Sequence, residues 1–192
     1  MSKLALQTLG TSHGRAFEMA RQAALIVGGS LFVALCARVT ISLMPLTPVP
    51  LTLQNFGVLL VGLLLGSRRG LAALALYLIE GAAGMPVFNA TGPGGVAQLF
   101  GITGGFLLAY PLVAFVAGYI FERGAKSVTR AIAAAFVGEI ALFAGGLSWL
   151  YFFTHSLAKA AYFGLYFFIA AEIIKILLAA GIAFRWQHAQ KQ

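Results

Sequence analysis

The chain contains no aspartate and little charge of any kind. Thirteen Lys and Arg face five acidic residues, and only 9% of the 192 positions are charged. A soluble domain carries about 25% charged residues. With 60% hydrophobic residues and a mean hydropathy of +0.92, this composition excludes an ordinary soluble fold and defines an all-α integral membrane protein. Cysteine is almost absent too. Cys36 stands alone, which excludes an intramolecular disulfide and a cysteine-built metal site. Of three histidines, His13 and His188 fall in the tails and His155 in a connection, so no His–nucleophile or metal cluster lies within a span. No catalytic residue, metal or cofactor is therefore expected. No nucleotide-binding loop, soluble domain, low-complexity region, fixed-period repeat or cleavable leader is recognisable. Any ATP-driven step must then come from other chains. The basic excess, which in a soluble protein would suggest nucleic acid, follows here from the positive-inside rule.

About 20 apolar residues cross a bilayer as a helix. Six crossings are predicted, near 21–43, 51–66, 71–84, 103–121, 131–153 and 161–184, the second and third being short. Lys3, Arg15, Arg21, Arg68, Arg69, Arg123, Lys126, Arg130, Arg185 and Lys191 then all fall on one side, with Lys159 opposite. The chain reads as a single membrane domain: a cytoplasmic tail at 1–20, a six-helix bundle at 21–184 and a cytoplasmic tail at 185–192.

Prolines are few and clustered. Five of the six lie in two segments without Lys or Arg, one around Pro45, Pro48 and Pro50, the other at 81–105 around Pro86 and Pro93. Irregular backbone at membrane depth must be buried in protein or line a cavity. Both segments are therefore candidate walls or lids of a ligand pocket on the outer side.

Ionisable residues within spans are functional candidates by default. These are Arg38, Glu80, Glu139, Glu172 and Lys175. Glu172 and Lys175 share a helix face at i, i+3. An ionised Glu172 suits paired N–H donors, whereas Lys175 suits a carbonyl or carboxylate; the competing reading is a mutually neutralising packing pair. Arg38 either meets an anionic ligand group or snorkels to the interface. Glu139 reads as a structural or protonated carboxyl, and Glu80 as a residue bordering the outer segment. Gln54 and Asn89 each bring an amide that suits an amide- or urea-like ligand, or bonds its own backbone. Phe88, Phe106, Tyr110, Trp149, Tyr151 and Phe152 are interface, core or ring-stacking aromatics. Ala16, Ala20, Ala24 and Gly28 recur every four residues, a stripe that permits close helix approach, either within the bundle or against a partner.

Four motifs in order carry a family resemblance. They are Pro48-Val49-Pro50-Leu51-Thr52-Leu53-Gln54, then Gly81-Ala82-Ala83-Gly84-Met85-Pro86-Val87-Phe88, then Thr103-Gly104-Gly105-Phe106, and the closing Glu172-x-x-Lys175. Together they resemble BioY, the biotin-binding S component of energy-coupling factor (ECF) vitamin transporters, over roughly residues 30 to 180. Three departures stand out: the family's usual Asp is Glu172 here, its Gly-Pro-Thr-Gly-Gly is Gly101-Ile102-Thr103-Gly104-Gly105, and Glu80 replaces an apolar residue. The resemblance implies six helices in a prokaryotic cytoplasmic membrane, with outer loops closing over captured biotin. It also implies association with a membrane coupling protein and two ATPases, the stripe at 16–28 resembling the first-helix motif that meets the coupling protein. On this reading Glu172 with Asn89 or Gln54 takes the ureido group of biotin. Lys175 takes a polar terminus, and Arg38 is a candidate for the carboxylate. The alternatives are an S component for another small vitamin, a self-sufficient carrier using Glu139 or Glu172 as a proton site, and an intramembrane enzyme.

Overall fold

The chain is described by a computed structural model over residues 3–189, with side chains described from Gly14 onward. Lys191 and the side chains of Lys3 and His13 lie outside the described residues. Among the described residues eight α-helices follow in order: α1 (Lys3–Arg38), α2 (Gln54–Leu65), α3 (Ser67–Ala82), α4 (Gly95–Leu99), α5 (Gly104–Glu122), α6 (Val128–Thr154), α7 (Leu157–Ala161) and α8 (Ile169–Ala189). Two short strands, β1 (Thr40–Ile41) and β2 (Leu51–Thr52), pair antiparallel with Thr40 opposite Thr52.

Among the described residues three helices are long and apolar enough to cross a membrane: Gly14–Arg38, Gly104–Glu122 and Val128–Thr154. A fourth is obtained if α7 through Tyr166 and α8, bent by 47° at their junction, count as one span. The helix α2 is apolar but has only 12 residues and α3 has 16, so at 1.5 Å per residue neither alone matches the ~30 Å hydrocarbon core. Several expected boundaries move. Helix begins at Lys3, inside the stretch read as a tail, and α1 stops at Arg38 rather than 43, because 39–53 turns into the small hairpin. The expected continuous span at 161–184 is broken by a π turn at Tyr162–Tyr166.

Helix α2 is central, packing on α1, α3, α5, α6 and α8. Small residues bring the helices close. At the α2–α3 junction Gly66 adopts φ +83°, and a Cβ there would collide with the Glu122 carboxylate of α5; that carboxylate also accepts from Ser67 Oγ at 2.7 Å. This end of the bundle gathers Arg68, Arg69, Arg123, Lys126 and Arg130. The opposite end holds both proline- and glycine-containing segments.

Between α5 and α6 the approach is tighter still. A Cβ on Gly105 would lie 2.1 Å from Trp149 Cβ and 2.7 Å from the Gly145 carbonyl oxygen, and the backbone there has no room to yield. Gly105→Val is therefore expected to cost about 3 kcal/mol or more, as overpacking does, read as a lower thermal unfolding midpoint in detergent.

Candidate functional site

The hairpin after α1 folds back over the bundle because its polar groups find partners there. Thr47 is fully buried. Its hydroxyl donates to the Phe163 carbonyl at 2.7 Å while accepting from Val49 N–H at 3.1 Å, tying the Pro45–Pro50 loop to the π turn. The second segment is fixed from three sides. Arg38 donates to the Pro86 carbonyl at 2.6 Å and also to that of Phe88. Trp149 Nε1 donates to the Gly101 carbonyl at 2.9 Å. The Phe88 ring fills the space left by Gly81 and meets Tyr77 edge-on at 5.3 Å.

Beneath these two segments lies a cavity with about 520 Å³ of atom-free space, its mouth included. Its walls combine Val49, Pro50, Phe106, Tyr110, Leu142, Phe143 and Phe168 with the polar side chains of Gln54, Asn55, Asn89, Glu172 and Lys175. Apolar walls with a few convergent polar groups are what small-molecule sites present. Four of the five candidates from sequence, Gln54, Asn89, Glu172 and Lys175, thus surround one space. Arg38 does not line it: the guanidinium is exposed and engaged with backbone carbonyls, because α1 ends beside the second segment rather than above the cavity.

The deep polar cluster is built from three helices. Lys175 Nζ lies 2.8 Å from Glu172 Oε1, and both residues are more than nine-tenths buried. Asn55 of α2 donates from Nδ2 to the carboxylates of both Glu172 on α8 and Glu139 on α6. Both Nδ2 hydrogens are thereby committed, so the amide orientation is fixed and Asn55 Oδ1 is left as an acceptor without a protein partner. Because Lys175 is bonded to Glu172, the two charges act at one end of the cavity. A second chain of amides runs along the wall. Gln54 Nε2 donates to Tyr77 Oη at 2.6 Å, Tyr77 Oη donates to the Val87 carbonyl at 3.1 Å, and Asn89 Nδ2 lies 3.5 Å from Gln54 Oε1.

Asn55 and the wall aromatics Phe143 and Phe168 escaped the sequence reading. Asn55 follows Gln54 directly at a helix start, where an amide reads as a cap, and nothing in one sequence announces the two carboxylates it bridges. Glu80 is not simply exposed at the segment edge: Ser30, itself fully buried on α1, donates to it. Tyr151 and Phe152 point away from the cavity, 44% and 71% exposed.

The fold and this site define a membrane-embedded binding protein whose small-molecule cavity is roofed by ordered loops. A model of the BioY family matches residues 5–192, and the chain belongs to that family, one of transporters and not of enzymes. It is 38% identical over 160 residues to a protein of Thermotoga maritima named biotin transporter BioY, covering 83% of this chain and 94% of that one. It is also 38% identical over 161 residues to a probable biotin transporter BioY of Pyrococcus horikoshii, covering 82% and 93%. A solved structure described as the S component for biotin from an ECF-type ABC transporter superposes with a TM-score of 0.80 at 24% identity, over 89% of this chain and 93% of that chain. That likeness shows the fold.

Proposed function

We propose that the chain captures biotin at high affinity for uptake, as the substrate-binding membrane subunit of an ECF-type transporter powered by a separate ATPase module. The observation that carries this reading is the buried cluster of Glu172, Lys175 and Asn55 at the floor of an aromatic-walled cavity. A ureido ring has two N–H donors and one carbonyl. Glu172 and Asn55 Oδ1 offer acceptors and Lys175 a donor, so the cluster complements that head group. Its one ammonium is already paired with the Glu172 carboxylate, which disfavours an anionic group at this depth, so the valerate carboxylate faces the loops. The apolar thiophane ring meets Phe106, Phe143 and Phe168, with Gln54 and Asn89 along the wall. Arg38 serves by holding the second segment over the cavity. The names borne by the relatives agree with this ligand.

All six crossings belong to the same proposal, with α2 and α3 completed by the segments that follow or precede them and both termini cytoplasmic. The basic end around the α2–α3 and α5–α6 junctions supports that orientation. The energising module would dock on α1. Ala16, Ala20, Ala24 and Gly28 are all exposed, and the last two border an apolar groove with Phe32, Leu60 and Leu64. Ala20→Trp is expected to block assembly with a coupling protein and its ATPases while leaving biotin affinity within about twofold, since bulk on a small-residue stripe prevents close helix approach. Co-purification and a biotin titration read the two effects separately.

A ligand screen by thermal unfolding tests the assignment. Biotin at 100 times its dissociation constant stabilises the folded chain by about 2.7 kcal/mol, and other B vitamins leave the midpoint unchanged. Stabilisation by a different vitamin and not by biotin would reassign the ligand. Uptake by this chain alone, dependent on a proton gradient, would instead favour a self-sufficient carrier.

A further inference from the structure

Beside the cavity lies a second recess with about 410 Å³ of atom-free space, its mouth included, bordered by Pro48, Thr91, Gly92 and Gln98 and sharing Pro50, Asn89 and Thr103 with the cavity. These three residues border both spaces. No Lys, Arg or His lines the recess, and the Arg38 guanidinium is spent on the Pro86 and Phe88 carbonyls. Gln98, on α4, is 2% exposed. Its Oε1 accepts from Gly94 N–H at 3.1 Å, while its Nε2 is buried with no acceptor among the described residues. A Cβ at Gly92 would lie 2.7 Å from Nε2, so glycine at that position is what leaves the amide its place. The neighbouring Asn89 Oδ1 takes the Thr91 hydroxyl at 2.8 Å. A buried donor left unpaired costs free energy that a bound acceptor would recover.

We infer that Gln98 Nε2 donates to the carboxylate terminus of the ligand, making the recess an outward subsite for the tail. The inference rests on the biotin reading, with the ureido head at Glu172 and Lys175. Lys175 at the cavity floor is already paired with Glu172, which leaves an anionic tail no free cation there. The recess borders the cavity at the residues they share, and an uncharged amide there can donate to a carboxylate after partial desolvation.

The test compares biotin with its primary amide on the full chain and on Q98E. This substitution keeps an oxygen for Gly94 N–H, so the structural bond survives, but it removes the donor and sets a carboxylate against the ligand's own. Biotin is expected to bind Q98E about 30-fold or more weakly than the native chain, whereas the primary amide stays within about threefold, because its NH₂ can donate to the new carboxylate. Equal losses for both ligands, or no loss for biotin, would overturn the subsite. A folded native chain that binds neither ligand would overturn the biotin reading itself, and the subsite with it. Should Q98E fail to fold, Q98M removes the donor without adding charge and is expected to weaken biotin about tenfold more than its amide; no difference between the ligands would again count against the subsite.

Discussion

Glu172→Leu weakens biotin binding by roughly 100-fold or more, the largest loss expected from any single change. The carboxylate is buried and held on both oxygens, by Lys175 and by Asn55. In the proposed complex it is also the charged acceptor for the ureido N–H groups. Hydrogen bonds to a charged group contribute about 1.5–3 kcal/mol each, and about 1.4 kcal/mol is a factor of ten in affinity. The variant also leaves Lys175 as an uncompensated buried ammonium, which costs about 3–5 kcal/mol when a buried pair is broken from one side. Stability and binding therefore fall together, and a second variant separates them. Glu172→Leu combined with Lys175→Met removes both charges, so the unfolding midpoint recovers toward the native value while biotin affinity does not. If affinity returned along with stability, the pair would be a packing device and no part of the ligand site.

Asn55→Leu ranks second. In the native chain one amide donates to two carboxylates that approach from α6 and α8. Leucine removes both donors and the free Oδ1 acceptor at once. Glu139 and Glu172 then lose the donor they share, while Lys175 stays paired with Glu172 alone. Each buried acceptor left unsatisfied costs about 1–3 kcal/mol, so a clear drop in the unfolding midpoint is expected, with biotin affinity reduced roughly 30-fold. Adding Glu139→Leu removes the buried acceptor left without its Asn55 donor and should restore much of the midpoint. Affinity should stay low, because the oriented acceptor is still missing. Paired melting curves and titrations on the two variants check this.

The residues legible in the sequence were those whose chemistry clashes with their surroundings. A glutamate and a lysine three apart in an apolar run, and an amide beside a proline cluster, stand out because lipid does not tolerate them unpaired. That logic found Glu172, Lys175, Gln54 and Asn89, all of which line one cavity. It also flagged Arg38, whose charge is visible but whose partners are backbone carbonyls 48 and 50 residues away, which no side-chain pattern encodes. Asn55 was hidden for the converse reason, since an amide at a helix start has an ordinary local explanation. The exposure of the Ala16–Gly28 stripe could not be read from its period, because a buried stripe and an exposed one have the same spacing.

For the fold, long apolar runs gave α1, α5 and α6, and the arginine pair gave the α2–α3 break. The bend after Tyr166 had no signal. Tyr162–Tyr166 is aromatic, lacks proline and reads as continuous span, yet its carbonyl at Phe163 is claimed by Thr47 from a loop 116 residues away. Tertiary contacts of that kind shape the roof of the cavity and are invisible to local pattern.

The central claim is that this chain alone captures biotin. Isothermal titration of biotin into the detergent-purified chain, free of any ATPase, tests it most directly. Saturable one-to-one binding is expected, lost in the Glu172→Leu, Lys175→Met variant that remains folded. A native chain with a cooperative unfolding transition and no heat of binding would contradict it.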